Sequence, residues 1–124
     1  MSEIWFTKTH EWIAKSGAGW KMGITDYAQS QLGDITFVEV PDAGTHYSAG
    51  ETIGSIESVK AVSEYYAPVD IDVISGNEAL EDSPELVNED PLGRGYLLEV
   101  KVLDPSQLSS LMDEATYNEW EKGE

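Results

Sequence analysis

Lys60 is the basic residue whose position in this sequence most clearly suggests a chemical role. It lies within the stretch SIESVKAVSEYYAPV, residues 55–69. The residues on both sides are rich in β-branched and aromatic types, which predicts two strands and a hairpin with Lys60 at its tip. Most lysines at such positions are ordinary surface residues. An exposed amine can also form a Schiff base, bind phosphate or serve as a point of covalent attachment.

The neighbours of Lys60 distinguish between these roles. A Schiff-base lysine needs an apolar pocket that favours its neutral form, whereas Glu57 and Glu64 favour the charged form. No glycine-rich loop opens a helix here, as a phosphate site would require. Covalent attachment needs a rigid hairpin, an exposed tip and an accessible amine, and this stretch is predicted to provide all three.

The overall charge limits the classes of partner. The 124 residues include 24 Asp and Glu against 7 Lys and Arg, a net charge of −17. Such a chain repels nucleic acid and anionic membranes and suits basic protein partners. Solubility or a saline habitat would also account for part of this charge.

Length and composition predict one globular domain, residues 1–124, without disulfides or thiolate chemistry, because the chain has no cysteine. No apolar run is long enough to span a bilayer, and the start MSEIWFTKTHEW lacks the features of a signal peptide. We therefore expect a cytoplasmic protein, although a mature chain that had lost a transit peptide would look the same.

Glycine and proline punctuate a series of short predicted strands. Residues 4–17 and 19–25 are predicted to form an opening strand pair joined at Gly17-Ala18-Gly19. A helix follows, capped by Thr25 or Asp26 and ended by Gly33. Alternation over residues 34–44 predicts a half-buried strand that turns Ile35 and Phe37 to one face. Further strands are predicted in residues 51–58, 61–77 and 95–104.

Two segments differ from this strand pattern. Residues 78–90 are predicted to be an acidic loop and the least ordered part of the chain. They lack the spacing of a calcium-binding EF-hand loop, so no metal site is predicted. Residues 104–124 are predicted to be helical, with Asp113 capping the last helix. Many strands, one internal helix and a helical tail favour a small β-sandwich or flattened barrel.

Several blocks of the sequence together resemble the glycine cleavage system H protein family. The motif ESVKA (57–61) followed by YAPV (66–69) is similar to that family's lipoylation site. Further blocks, in the same order and at similar spacing, are FTKTHEW (6–12), MGITDYAQ (22–29), QLGDITFVEVPDAG (31–44), NEALEDSPELVNEDP (77–91) and LMDEATYNEW (111–120). The resemblance covers almost the whole chain.

The resemblance implies a fold and a cofactor. The fold would be mainly β, a barrel-sandwich hybrid like other lipoyl domains, with short added helices, one internal and one or two C-terminal. Lipoate would be joined to Lys60 through an amide. The residues implied to present this lysine are Glu57, Val59 and Ala61; those implied to line a cleft that shelters the loaded arm are Thr9, Glu11 and Glu64.

The resemblance also implies a function without catalytic turnover. The lipoyl arm would carry an aminomethyl group from a pyridoxal-phosphate-dependent glycine decarboxylase to a folate-dependent aminomethyltransferase. Lipoamide dehydrogenase would then reoxidise the arm, and a lipoylating enzyme would attach it. Some relatives resemble lipoate-binding proteins that carry sulfur for heterodisulfide-reductase-like complexes, and this alternative remains open.

Other classes of protein fit less well. A biotinyl carrier usually places methionines beside its lysine, whereas here the neighbours are Val59 and Ala61. A binding module without a cofactor would leave Lys60 as a free amine. An enzyme would need a catalytic constellation, and the sequence contains no cysteine, no paired catalytic histidines and no phosphate loop.

The sequence also departs from the family pattern. Asp70-Ile71 stands where the family usually has Ser-Gly, so the turn there is expected to differ or to be strained. Tyr96 follows Gly95 where tryptophan is usual. We expect His10 to be a hydrogen-bonded structural residue and His46 a surface residue. The tryptophans are expected in the core or at its edge: Trp5, Trp12, Trp20 and Trp120.

Overall fold

The computed structural model describes residues 3–17 and 19–123, and their strands form two antiparallel sheets. The larger sheet has six strands in the order β1-β2-β3-β9-β8-β5, and the smaller has three in the order β4-β6-β7. The strands are β1 (Ile4–Phe6), β2 (Glu11–Ser16), β3 (Gly19–Ile24), β4 (Ile35–Val38), β5 (His46–Tyr47), β6 (Thr52–Ser58), β7 (Val62–Tyr66), β8 (Ile71–Gly76) and β9 (Leu98–Val102).

Short helices connect and flank the sheets. They are α1 (Asp26–Leu32), α2 (Ala79–Asp82), α3 (Leu86–Glu89), a 3₁₀ helix (Pro105–Ser110) and α4 (Glu114–Glu121). The Thr25 side chain accepts a hydrogen bond from the backbone N–H of Ala28 and caps α1, while Gly33 ends it with φ +80°. Asp113 caps α4 in the same way, through the N–H of Thr116. The predicted caps of both helices are therefore confirmed.

The two sheets share one apolar core. Ile13, Met22 and Val100 of the larger sheet pack in the same cluster as Ile56 and Tyr65 of the smaller sheet. Since each strand turns alternate side chains inward, the sheets bury their apolar faces against each other and leave their polar faces in water. This two-sheet, mainly β architecture with short added helices agrees with the predicted fold.

The helical tail closes a second, aromatic cluster against the larger sheet. The rings of Phe6 and Tyr117 stack with centroids 4.6 Å apart, and Trp12 is buried beside them. The backbones of Phe6 and Met112 exchange two hydrogen bonds, of 2.8 and 2.9 Å. The tail is thereby attached to β1, next to the turn that leads into β2.

The opening strand is divided in two, contrary to the prediction of one strand over residues 4–17. Residues 7–10 form a turn, and β1 and β2 pair antiparallel with Phe6 opposite Trp12. His10 enables the reversal with φ +68°, a left-handed conformation that non-glycine residues seldom adopt. The predicted turn between the next two strands includes Ala18, which lies outside the described residues.

The face predicted for Phe37 is wrong. Ile35 and Val38 are buried, whereas Phe37 is 52% exposed. The register of β4 against β6 shifts between Ile35 and Phe37, as it does at a β-bulge. An extra residue in one strand reverses the in-and-out alternation beyond it, so the aromatic ring faces solvent.

The acidic stretch is helical, contrary to the prediction of a poorly ordered loop. It contains α2 and α3, and Leu80, Leu86 and Val87 from it are buried in the core. The six acidic side chains among residues 78–90 concealed the three apolar anchors. Burial of those anchors, and not helix propensity, holds turns as short as these.

The turn before Ile71 does not have the left-handed backbone strain that was one of the two expected alternatives. Asp70 does not have a positive φ. Its carboxylate accepts a hydrogen bond from the N–H of Ala49 at 2.8 Å, and its own N–H donates to Oε1 of Gln107 at 2.8 Å. Within the described residues, no helix is long and apolar enough to cross a membrane.

Candidate functional site

Lys60 lies at the tip of the hairpin formed by β6 and β7, and its side chain is exposed. The tip is tied together by Ser58, whose N–H donates to the carbonyl of Ala61 at 2.8 Å. The Ser58 hydroxyl oxygen also accepts from the N–H groups of Ala61, at 3.1 Å, and Lys60, at 3.3 Å. Four residues are thus held in one compact turn that projects the amine outward.

A second contact supports the tip from below. The N–H of Val59 donates to the carbonyl of Asp34 at 3.0 Å, which joins the hairpin to the segment between α1 and β4. Gly33 lies under the lysine: a Cβ atom added there would be 3.4 Å from Cε of Lys60. The missing side chain leaves room for the aliphatic part of the lysine to lie against the backbone.

Asn88 of α3 positions this supporting segment. Its Nδ2 donates to the carbonyl of Gly33 at 2.8 Å and to Oε1 of Gln29 at 2.9 Å. Its Oδ1 accepts from the N–H of Ile35 at 2.9 Å. All hydrogen-bonding groups of one amide are used to hold the end of α1 against the start of β4, directly beneath the lysine.

A cleft of about 320 Å³ lies between α1, the turn after β1 and the hairpin. The structure places the three predicted cleft residues, Thr9, Glu11 and Glu64, on its walls. The remaining lining is largely apolar, with Leu32 and Ile56 among it. Glu64 lies on β7, four residues after Lys60, which corresponds to at most about 13 Å of extended chain at about 3.3 Å per residue. A long, flexible acyl chain on that lysine can span this distance.

Glu11 is a buried carboxylate on the wall of this cleft, with only 1% of its surface exposed. Thr7 donates to its Oε1 at 2.7 Å, Thr9 donates to the same atom, and the N–H of Tyr66 donates to Oε2 at 3.4 Å. Burial raises the pKa of Glu11 from 4.5 to about 7, and the hydrogen bonds from Thr9, Thr7 and Tyr66 oppose that rise.

The same carboxylate borders a second cavity of about 340 Å³, which is lined by Gly50, Tyr66 and Leu111 in addition to Thr7 and Thr9. Glu11 therefore lines both cavities. A carboxylate with a pKa near neutrality can accept hydrogen bonds from a cationic group that enters the cleft, and such a cation would in turn favour its ionised form.

His10 has a structural setting. Its Nδ1 lies 2.7 Å from the hydroxyl oxygen of Tyr117, and its carbonyl accepts from the N–H of Thr25 at 3.0 Å. Its ring also packs against Tyr27, with centroids 4.5 Å apart. These contacts agree with the structural role expected for His10. His46 is on the surface, as expected, with Nδ1 2.9 Å from a carboxylate oxygen of Asp72.

A larger cavity, of about 650 Å³, lies elsewhere. Its lining includes Trp12, Lys21, Arg94 and Tyr96 but none of the predicted site residues. Within the described residues, no group of three or more histidine, aspartate or glutamate side chains is placed to hold a metal ion. We therefore take the hairpin and its adjoining cleft as the candidate functional site.

The predicted site residues fall into two neighbouring groups. Glu57, Val59 and Ala61 surround Lys60 and are exposed. Thr9, Glu11 and Glu64 line the cleft. Sequence reasoning missed Ser58, Asn88 and the contact with Gly33. Gly33 was noted as a helix end, but neither its position in the chain nor that of Asn88 signals proximity to Lys60.

Two antiparallel sheets around one core, with an exposed lysine at a hairpin tip, define the class of lipoyl-domain-like β proteins. Residues 4–124 match the family model described as Glycine cleavage H-protein. The chain therefore belongs to the glycine cleavage H-protein family, whose members are lipoyl carriers in glycine cleavage.

Individual relatives agree with this assignment. The chain is 48% identical over 120 residues to the glycine cleavage system H protein of Parvibaculum lavamentivorans, covering 97% of this chain and 96% of that protein. It is 49% identical to the H protein of Staphylococcus saprophyticus, covering 95% and 94%. The crystal structure of an H protein from Mycobacterium marinum superposes with a TM-score of 0.87 at 33% identity, covering 98% of each chain.

Proposed function

We propose that lipoate is attached to Lys60 through an amide and that the protein carries an aminomethyl group in glycine cleavage. Its partners would be a lipoylating enzyme, glycine decarboxylase, an aminomethyltransferase and lipoamide dehydrogenase. The observation that carries this proposal is the exposed amine at the tip of a braced hairpin, beside a cleft that contains a buried carboxylate.

The geometry of the tip fits covalent attachment. Ser58 holds the backbone of the turn through three hydrogen bonds, so the lysine projects from a fixed backbone position. Its exposure leaves an acylating enzyme free to approach it. Attachment replaces the cationic amine by a neutral amide and makes the net charge one unit more negative than −17.

Lipoate would supply the dithiolane sulfur chemistry that this cysteine-free chain lacks. The chain itself would hold and shelter the charged end of the loaded arm. Leu32 and Ile56 provide apolar lining for an acyl chain, while Thr9 and Glu11 provide oxygen atoms that can accept hydrogen bonds from a protonated amine. Glu64 adds a second carboxylate to the lining of the cleft.

The pKa of Glu11 suits this role. With a pKa of about 7, the carboxyl group can be neutral in the empty cleft and ionise when a cation arrives. Because the group is buried, its interaction with that cation is stronger than it would be in water. Tethering to Lys60 keeps the arm at high effective concentration near the cleft and near any docked partner.

The attachment is tested by intact mass spectrometry after incubation with lipoate, ATP and a lipoylating enzyme. We expect the wild-type protein to gain one lipoyl group and Lys60→Arg to gain none. Lys101→Arg, which changes an exposed lysine on β9, is the matched control and should be modified like the wild type. An unmodified wild type, with the enzyme active on another acceptor, would contradict the proposal.

The pathway is tested by supplying the lipoylated protein to a competent glycine decarboxylase. We expect release of labelled CO₂ from carboxyl-labelled glycine, and none with Lys60→Arg. A lipoylated protein that does not support this release would count against glycine cleavage. The relatives described above are named as glycine cleavage proteins, and no observation favours the sulfur-carrying alternative.

A further inference from the structure

The hydroxyl group of Tyr117, on α4, joins two walls of the cleft beside Lys60. It donates a hydrogen bond to Oγ1 of Thr25 at 2.9 Å, and the same oxygen lies 2.7 Å from Nδ1 of His10. Thr25 caps α1, which forms one wall, and His10 lies in the turn after β1, which forms another. A buried hydroxyl on the last helix thus contacts residues that lie 92 and 107 positions earlier in the chain.

A single hydroxyl group can make both contacts at once. A tyrosine hydroxyl donates one hydrogen bond and can accept another. Because the hydrogen of Tyr117 is directed to Thr25, the Nδ1 atom of His10 must be the donor to the tyrosine oxygen. Both walls are therefore bound to the same atom.

His10 transmits this contact to the polar groups that line the cleft. It lies between Thr9 and Glu11 in the sequence and has φ +68°. Its N–H donates to the carbonyl of Thr7 at 3.2 Å, and the N–H of Glu11 donates to Oγ1 of Thr7 at 3.0 Å. A left-handed conformation is costly for a non-glycine residue and persists only where surrounding contacts hold it. The positions of the two lining groups therefore depend on how His10 is held.

The helix that carries Tyr117 is itself fixed on the larger sheet. The ring of Tyr117 stacks on that of Phe6, with centroids 4.6 Å apart. Two backbone hydrogen bonds between Phe6 and Met112 attach the preceding segment to β1. Trp120, one turn further along α4, packs against the ring of His10, with centroids 5.3 Å apart. The hydroxyl group is thus presented to the cleft from a packed helix.

We infer that Tyr117 is a positioning residue, which holds the turn of Thr9 and Glu11 against α1 and so sets the width of the cleft. This inference rests on the proposed function, in which the cleft shelters the loaded arm. The N–H of Thr25 also donates to the carbonyl of His10 at 3.0 Å, so the two walls keep one link when the hydroxyl is removed. Removing the hydroxyl should therefore loosen the cleft and leave the fold intact.

The first test measures amide hydrogen exchange in the unmodified protein. Tyr117→Phe removes the hydroxyl and keeps the stacked ring. We expect it to accelerate exchange of the N–H groups of Thr25 and Glu11 about fivefold, as the loss of one hydrogen bond of about 1 kcal/mol would.

Tyr65→Phe is the matched control for this measurement. Tyr65 is also a buried tyrosine, and its hydroxyl donates to the carbonyl of Glu39 at 2.7 Å. Neither Tyr65 nor Glu39 lines the cleft. The control variant should leave exchange of the N–H groups of Thr25 and Glu11 near the wild-type rate.

The second test measures how long the loaded protein keeps its aminomethyl group without partner enzymes. Loss occurs by hydrolysis: the oxygen of water bonds to the methylene carbon, and the carbon–sulfur and carbon–nitrogen bonds break. Sulfur and nitrogen each take one proton, which gives a thiol, formaldehyde and ammonia. Released ammonia measures the rate, which we expect to rise about fivefold in Tyr117→Phe and to stay near wild type in Tyr65→Phe.

Lipoylation provides a further control, because it occurs outside the cleft. The hairpin tip is held by hydrogen bonds from Ser58 and not by α4. Both tyrosine variants should therefore be lipoylated at Lys60 at the wild-type rate. Equal shifts of the urea midpoint in the two variants would show that they differ in the cleft and not in general stability.

The outcomes separate this inference from the proposed function. If the wild type is lipoylated but cannot be loaded, the proposed function fails, while faster exchange in Tyr117→Phe alone would still support the link between the two walls. If the wild type is loaded but Tyr117→Phe matches Tyr65→Phe in exchange or in the lifetime of the aminomethyl group, the inference is overturned and the proposed function stands.

Discussion

The hairpin tip and the turn after β1 each hold one charged residue, in opposite environments. Lys60 is exposed on a tip braced by backbone and serine hydrogen bonds, whereas Glu11 is 1% exposed and held by two threonines. Solvent leaves the lysine free to change its charge at little cost to folding. Burial couples the charge of the glutamate to the stability of the whole protein. The same fold thus provides the exposed amine and the buried carboxyl group that the proposed attachment and the proposed recognition of a cation require.

Reversing the charge at each of these two positions should give the largest difference in the free energy of unfolding. Glu11→Lys places an ammonium group in a buried site whose threonines and backbone N–H are arranged as donors, and should reduce the free energy of unfolding by about 3–5 kcal/mol. Lys60→Glu should change it by less than about 0.5 kcal/mol. Urea unfolding at pH 7 measures both, and similar losses for the two variants would contradict the difference in environment.

The second prediction concerns the pH dependence of stability. Between pH 4.5 and about 7, the folded protein retains a proton on Glu11 that the unfolded chain has released. The stability contributed by this proton is fully present below pH 4.5 and is lost as the pH rises to about 7. The difference between these pKa values corresponds to about 3 kcal/mol.

Glu11→Gln isolates this contribution from the many other carboxylates. The wild-type free energy of unfolding, taken relative to that of Glu11→Gln, should fall by about 3 kcal/mol as the pH rises from 4.5 to 7.5. Urea unfolding at intervals across this range gives both curves. Parallel curves would show that the buried carboxyl group titrates at its ordinary pH.

The third prediction concerns the support beneath the lysine. Gly33 combines φ +80° with ψ −154°, a region that is essentially restricted to glycine, so Gly33→Ala should cost about 1–3 kcal/mol. The new methyl group would also occupy space in van der Waals contact with Cε of Lys60, which should restrict the lysine side chain and slow its acylation. Gly44→Ala is the control, since Gly44 has φ +88° but open space around it. Equal acylation rates for the two variants would argue against the contact with the lysine.

The smallest expected effect is at the hairpin tip itself. Ser58→Ala removes an acceptor for the N–H groups of Lys60 and Ala61 and should cost about 1 kcal/mol of stability. It should also accelerate hydrogen exchange of those two amides. Ser63→Ala, at an exposed position on β7, provides the comparison. Unchanged hydrogen exchange at the tip would mean that the hydrogen bond from the Ser58 N–H to the Ala61 carbonyl is sufficient to hold the turn.

Local signals were enough to predict several features of the fold. The caps at Thr25 and Asp113, the end of α1 at Gly33 and the lysine at a hairpin tip all depend on residues within a few positions of one another. The face of Phe37 was not predictable, because a bulge depends on how β4 pairs with β6. The helical character of residues 79–89 was missed because three buried anchors stand among many acidic side chains.

The sequence by itself determined the chemistry available: one lysine between two strand-forming segments, no cysteine and a large negative charge. Its family blocks also associated Thr9, Glu11 and Glu64 with a cleft. Only the tertiary structure decided that Glu11 is buried enough to titrate near neutrality, that Asn88 holds the segment under Lys60, and that Phe37 faces outward. Burial, long-range hydrogen bonds and strand register arise between residues distant in the chain, so no local pattern contains them.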